Sequence, residues 1–249
     1  NWSAVEVNGR LLVDSGVSVT NVPSIASTVR ANPSAGFSIF TYTGTGTAGT
    51  AGHGLNAAPE FYILKSRSAS EQWAVYHKSI TALKKLVLSS TAAQADTNHF
   101  NDTEPTNSVL SIGSTGTVNV NGSTYVGYAW APVEGYSAFG SYTGNGSADG
   151  PFLYTGFKPR WVMIKATSFS EHWYIYDTKR NVFNVNQDPL LANSSNGGLS
   201  HEGIADGGQA IDILSNGFKI RGAWLTNNSS QNYVYAAFAE NPFKTARAR

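Results

Sequence analysis

Short runs in which apolar and polar residues alternate recur along the chain, bounded by glycine, asparagine, serine or threonine. A period of two marks a strand with one buried face. Runs at residues 37–42, 61–65, 72–77, 86–88, 109–112, 117–120 and 124–130 predict seven strands in the first half. Asn121-Gly122 predicts a tight hairpin between 117–120 and the strand of Tyr125. Both central positions of such a turn need positive φ, which Asn and Gly tolerate. Asn216-Gly217, between 211–214 and 218–220, and Asn8-Gly9, between 5–7 and 11–13, predict two more hairpins. Residues 23–33 read as a short helical or irregular linker. Residues 81–87 admit a helical turn, but the poor helix former at 178–183 favours strand or loop in both places. The longest apolar runs, such as 233–239, fall far short of the roughly 20 residues of a membrane span.

The pattern repeats. Tyr42-Thr43-Gly44-Thr45-Gly46 returns as Tyr142-Thr143-Gly144-Asn145-Gly146. Phe61-Tyr62-Ile63-Leu64-Lys65 returns as Trp161-Val162-Met163-Ile164-Lys165, and Ser70-Glu71-Gln72-Trp73 as Ser170-Glu171-His172-Trp173. The offset then grows: Leu110-Ser111-Ile112-Gly113 aligns with Leu214-Ser215-Asn216-Gly217, and the run from Tyr125 with the run from Tyr233. A unit of about 100 residues is a domain in its own right, not a solenoid repeat. The expected organisation is a leader hairpin and linker at 1–34, a first β-sandwich at 35–134 and a second at 135–249. A barrel is the alternative that periodicity leaves open.

Composition narrows the chemistry. Charged residues make up 13% of the 249 positions and the formal net charge is +1, which removes the basic footprint of a nucleic-acid binder. The chain has no cysteine, so thiol catalysis, disulfides and Cys-based metal sites are excluded.

Gly44-x-Gly46-x-x-Gly49 matches a dinucleotide fingerprint in letters only: no helix signal follows it, so it reads as a glycine-rich turn. No G-x-S-x-G elbow and no H-E-x-x-H is present. His53, His77, His99, His172 and His201 read as surface or loop histidines, because neither His77 nor His172 keeps its identity between copies. Glu71 and Glu171 occupy equivalent positions in different units and read as turn caps or strand-edge residues, not a catalytic pair. Asp96, Asn98, Asn101 and Asp102 form a loop rich in hard oxygen ligands, a weak calcium candidate without EF-hand spacing. No other cofactor is expected. Trp73, Trp173, Tyr76, Tyr176, Tyr125 and Tyr233 persist in both copies and read as core. Function is expected where the copies differ, at 92–107, 187–208 and 222–232, because loops on a rigid scaffold carry recognition. Trp224, with His201 and Asn228, is the candidate ligand or receptor contact; the alternative is that Trp224 folds inward to plug the sandwich end.

Ala35-Gly36-Phe37-Ser38-Ile39-x-Thr41-Tyr42-Thr43-Gly44, Gly52-His53-Gly54-Leu55 and the closing Tyr235-Ala236-Ala237-Phe238-Ala239-Glu240-x-Pro242-Phe243 resemble a repeated module of bacteriophage tail-fibre and appendage proteins. The resemblance runs from about Ser34 to Lys244. It implies two lectin-like, jelly-roll sandwiches on the virion exterior, without catalytic motif, assembled in the host cytoplasm. The partners it implies are other virion proteins and a host-surface polysaccharide or receptor, in a homo-oligomer, most simply a trimer. A capsid decoration, a fibre spacer and a glycan depolymerase are the competing readings.

Overall fold

The computed structural model describes residues 22–195 and 210–240, and the backbone of 5–7 and 10–12. The described strands all pair antiparallel. The strands β1 (Val5–Val7) and β2 (Arg10–Leu12) pair with Val7 opposite Arg10, which is the hairpin expected around Asn8-Gly9.

The first half contains β3 (Ser27–Asn32), β4 (Phe37–Thr43), β5 (Gly49–Gly52), β6 (Phe61–Ser66), β7 (Ala74–His77), β8 (Lys84–Val87), β9 (Ala95–Asp96), β10 (Val109–Ile112) and β11 (Thr124–Trp130). Its large sheet has the order β3-β4-β11-β6-β7-β8-β9, and β5 pairs with β10 in a small one. The second half contains β12 (Ser137–Thr143), β13 (Phe152–Tyr154), β14 (Pro159–Ala166), β15 (Trp173–Asp177), β16 (Leu190–Leu191), β17 (Ile211–Leu214), β18 (Gly217–Ile220) and β19 (Asn232–Ala239). These form sheets of order β12-β19-β14-β15-β16 and β13-β18-β17. The run β4-β11-β6-β7-β8 is thus matched by β12-β19-β14-β15-β16.

Side-chain alternation on the central strands builds three cores. Tyr62 and Leu64 of β6 point into a first core with Tyr42, Tyr76, Leu110 and Ile112, between the large and small sheets of the first half. Val162 and Ile164 of β14 do the same in the second half with Tyr142, Tyr176, Phe218 and Ile220. The alternate residues Phe61, Ile63, Val75, Met163, Trp173, Val234 and Ala236 form a third core, in which the two large sheets pack face to face. Covering both faces turns an alternating pattern into a continuous apolar run. That is why β6 and β14 read Phe-Tyr-Ile-Leu and Trp-Val-Met-Ile.

Three sequence expectations change. Residues 27–32, expected in a linker, form edge strand β3 along β4, with Ser27 opposite Tyr42 and Asn32 opposite Phe37. Its side chains are mostly exposed, so its apolar signal is weak. Residues 117–120, expected as a strand, contribute instead to a short helix, Gly116–Asn119, whose Val118 and Asn119 amides donate to the Thr115 carbonyl at 3.2 and 2.9 Å. Asn121-Gly122 therefore joins a helical turn to β11, and β11 pairs with β4 and β6 instead. The hairpin of β17 and β18 forms, but Leu214 pairs with Gly217, so the turn is Ser215-Asn216. Gly217 is needed for closeness: a Cβ there would lie 2.1 Å from the Leu153 carbonyl oxygen of β13.

Candidate functional site

The repeated Tyr-Thr-Gly-x-Gly motif builds the end of each half. Tyr42 and Tyr142 are buried, and their hydroxyls donate to the carbonyls of Val118 (2.7 Å) and Thr226 (2.6 Å). Gly44 and Gly144 admit close backbone approach: a Cβ would lie 2.2 Å from the Val120 oxygen and 2.3 Å from the Asn228 oxygen. The loop that the motif opens closes on a buried asparagine. The Asn119 carboxamide accepts from Thr45 N–H (2.8 Å) and donates to the carbonyls of Thr47 (2.7 Å) and Gly113 (2.9 Å). Asn227 accepts from Asn145 N–H (2.9 Å) and donates to the carbonyls of Ser147 (2.7 Å) and Gly222 (2.9 Å). The glycine pattern that resembles a phosphate loop thus wraps a side-chain amide of its own chain. Reading the sequence missed both asparagines; their signal was an Asn followed six residues later by a retained tyrosine, Tyr125 and Tyr233.

Of the histidines expected at the surface or in loops, His53 and His99 do lie in loops but are buried, and His77 is buried at the end of β7. The reason is local. In His53 the Nδ1 accepts from Leu55 N–H at 3.2 Å while Nε2 faces the Thr106 carbonyl at 3.2 Å. In His77 the Nδ1 accepts from Ser79 N–H at 3.1 Å while Nε2 donates across to the Tyr235 carbonyl of the second half, also at 3.1 Å. A neutral ring satisfies both partners; a second proton would point at an N–H. In His99 the Lys85 ammonium donates to Nε2 at 3.1 Å, with Thr115 Oγ1 at 3.0 Å from Nδ1.

Burial pushes His77 down from 6.5 to about 4. As pH falls, the unfolded chain takes up this proton before the folded one does. The stability from His77 is complete above about pH 6.5 and is lost between there and about pH 4. The expected loss is about 3 kcal/mol. Urea midpoints measured down that interval should fall for the native chain and fall less for His77→Gln; equal slopes would contradict the assignment.

Glu171 caps its own turn, whereas Glu71 reaches across to the short helix Gly116–Asn119. Glu71 accepts from Thr117 Oγ1 at 3.3 Å; Glu171 accepts from His172 N–H at 2.7 Å and the Tyr174 hydroxyl at 2.9 Å. Lys165, fully buried, donates to the carbonyls of Thr91 (3.1 Å) and Ala166 (2.8 Å), and burial lowers its pKa to about 8. It pins the two halves together. Asp96 pairs with Lys84 at 2.6 Å, while Asn101 and Asp102 take left-handed backbone angles (φ 50° and 47°). Among the described residues no group of three or more His, Asp or Glu could hold a metal ion.

Of the receptor candidates, Trp224 is 58% exposed, so it does not plug the sandwich end. Asn228 is half-buried, and its N–H donates to the Tyr233 hydroxyl at 2.8 Å. His201 lies outside the described residues. The sequence did not single out Phe152 (45% exposed), Tyr154 (68%) or Phe183 (83%). With Trp224 these are the exposed aromatic side chains among the described residues, and all four belong to the second half. The persistent aromatics meet the core expectation, apart from Trp73, which is half-buried with the Lys65 ammonium 5.9 Å from its ring centroid. A polar cleft of about 380 Å3 where β12 passes the first half is lined by Ser79, Gln94, Ser141, Thr143 and Asn232, without an exposed ring.

Neither curated proteins nor solved structures match the chain. A family model described as DUF7483, a domain of unknown function, matches residues 11–242. That span includes both halves, and the chain belongs to the DUF7483 family.

Proposed function

We propose that the chain is a non-enzymatic recognition module on the exterior of a bacteriophage virion, part of a tail fibre or similar appendage, that contacts the host cell surface. The observation that carries this reading is the placement of the exposed aromatics. The halves share a strand order, yet Phe152, Tyr154, Phe183 and Trp224 are all on the second. Single exposed rings are ordinary, but several confined to one half of a scaffold whose halves share a strand order point to a contact surface there. The matched strand orders, with Tyr42–Val118 mirrored by Tyr142–Thr226, also support a tandem duplication of a jelly-roll-like sandwich. Glu71, Glu171, His53, His77 and His99 are engaged in contacts within the fold, which favours a binder over a depolymerase.

The purified chain should bind host cells and compete with virion adsorption while releasing no reducing ends from host polysaccharide. Failure to bind, or sugar release that stops in Glu71→Gln or Glu171→Gln, would overturn the reading.

A further inference from the structure

The outer face of the β13-β18-β17 sheet has the composition of a binding platform. Leu153, Phe218, Ile211 and Ile213 point into the second core. Their neighbours along each strand therefore point outward. The register sets two outward rows: Phe152–Lys219–Asp212 and Tyr154–Gly217–Leu214. Gly217 leaves a gap in the second row, and the Phe152 ring leans over it: a Cβ on Gly217 would lie 3.1 Å from Phe152 Cε2. The Tyr154 ring turns the other way, to within 3.7–3.9 Å of the place of a Cβ on Gly156. Phe183 and Val185 (40% exposed) flank the sheet, held there by Asn184, whose carboxamide bonds both to the N–H and to the carbonyl of Ile213 at 2.9 Å.

The charges on this face cancel. Lys219 pairs with Asp149, and Arg221 reaches Asp149 at 3.8 Å and Asp212 at 3.3 Å. Two acids and two bases are locked into one network, with no net charge to draw an ionic ligand.

The first half shows what the face would be without a ligand. There β5 and β10 pair as β13 and β18 do, with Thr50 opposite Ser111 and Gly52 opposite Val109. No ring stands in either row. Residues before β3 also close the β5 edge: Ile25 N–H donates to the Thr50 carbonyl at 2.8 Å, and Thr50 N–H to Ser24 Oγ at 2.8 Å. Among the described residues no strand lies along the corresponding edge of β13.

We infer that the outer face of β13-β18-β17 binds an uncharged glycan, with sugar rings lying on Phe152 and Tyr154 and hydroxyls bonding to Asp212, Lys219 and Arg221. This deepens the proposed host-surface role and rests on it. Charge decides the ligand class. An apolar protein face would desolvate the ion-pair network without replacing its hydrogen bonds, which is costly. A polyanion would compete with Asp149 and Asp212. A polyhydroxyl ring offers a C–H face to the aromatics and O–H groups that both donate and accept.

The test uses immobilised neutral polysaccharides beside uronic-acid-containing ones, together with host cells. The native chain should bind a neutral polysaccharide. Phe152→Ala and Tyr154→Ala should each weaken binding about tenfold, the effect of some 1.4 kcal/mol of lost ring contact. Tyr154→Phe should retain it, and the melting temperature should stay unchanged because both rings stand in water. Binding confined to acidic polysaccharides, or neutral binding indifferent to both alanine variants, overturns the inference. So does an alanine variant that shifts oligomeric state but not glycan binding, since the face would then join copies of the chain. If the double variant still binds host cells as the native chain does, the glycan face is wrong and the host-surface role stands. If the native chain binds neither cells nor any polysaccharide, both fall.

Discussion

Trp173→Ala is expected to destabilise the protein by about 4 kcal/mol, within the range for truncating a fully buried tryptophan. Trp173 is 1% exposed and sits in the core between the two large sheets, and its Nε1 donates to the Val87 carbonyl of the first half at 2.9 Å. Truncation opens a cavity between the halves and leaves that carbonyl only the Ser90 N–H, at 3.2 Å. Each half keeps its own core, so its sheets should persist while the coupling between halves weakens. Calorimetry should show one transition in the native chain and a lower, broadened or split one in the variant. Trp73→Ala supplies the control, since Trp73 is only half-buried at the rim of the same core. Equal costs for the two tryptophans would mean that Trp173 does not couple the halves.

The same pair shows how far the sequence can be read. Repetition marked Trp73 and Trp173 as core residues, because a ring kept at a strand position is usually packed. Which core each enters follows from sheet-on-sheet packing, and an alternation pattern describes one strand at a time. The strands 109–112 and 124–130 matched their expected bounds because one face of each is sharply apolar. Residues 117–120 misled because Thr-Val-Asn-Val alternates as a strand does, while Val118 and Asn119 are buried for unrelated reasons: one fills the core, the other ties a loop. Strand β3 was missed because an edge strand along a finished sheet buries little.

The candidate site was legible in part. Trp224 announced itself as an aromatic without a counterpart and is exposed as a contact residue must be. Phe152 and Tyr154 carried the same signal in Phe-Leu-Tyr, but three residues are too few to declare a strand. Their shared outward face appears only once β18 supplies the register. His77 departs from the surface-or-loop expectation, which rested on variation between copies, because it ends a buried strand. His77 differs from Asp177 because its partner is the Tyr235 carbonyl, a contact between the halves that cannot occur twice.

Asn227→Ala is expected to cost about 4 kcal/mol, and Asn119→Ala about the same, although neither touches a large apolar side chain in the contacts that define its role. Each carboxamide is fully buried and serves one N–H and two carbonyls, of which the Gly113 or Gly222 carbonyl is buried. Removing it orphans the buried Gly113 or Gly222 carbonyl at about 1–3 kcal/mol and forfeits two further hydrogen bonds at about 0.5–1.5 kcal/mol each. Asn→Asp is the sharper test. It keeps the acceptor for Thr45 or Asn145 N–H but replaces the donors with an anion aimed at two carbonyls. The aspartate forms should therefore be as unstable as alanine near neutral pH and recover part of the loss in acid, where a protonated carboxyl donates again. The halves should differ in consequence as well as match in cost. Loosening the Asn119 loop disturbs the end of the first half, which bears no exposed ring among the described residues. Loosening the Asn227 loop frees Gly144–Asp149 and the turn of Trp224, and Asp149 holds Lys219 and Arg221 at the proposed glycan face. Hydrogen exchange at Asn145 and Ser147, with host-cell binding below the melting temperature, should respond to Asn227→Ala and remain unchanged in Asn119→Ala. Equal loss of binding in both would show that the asparagines act through global stability alone.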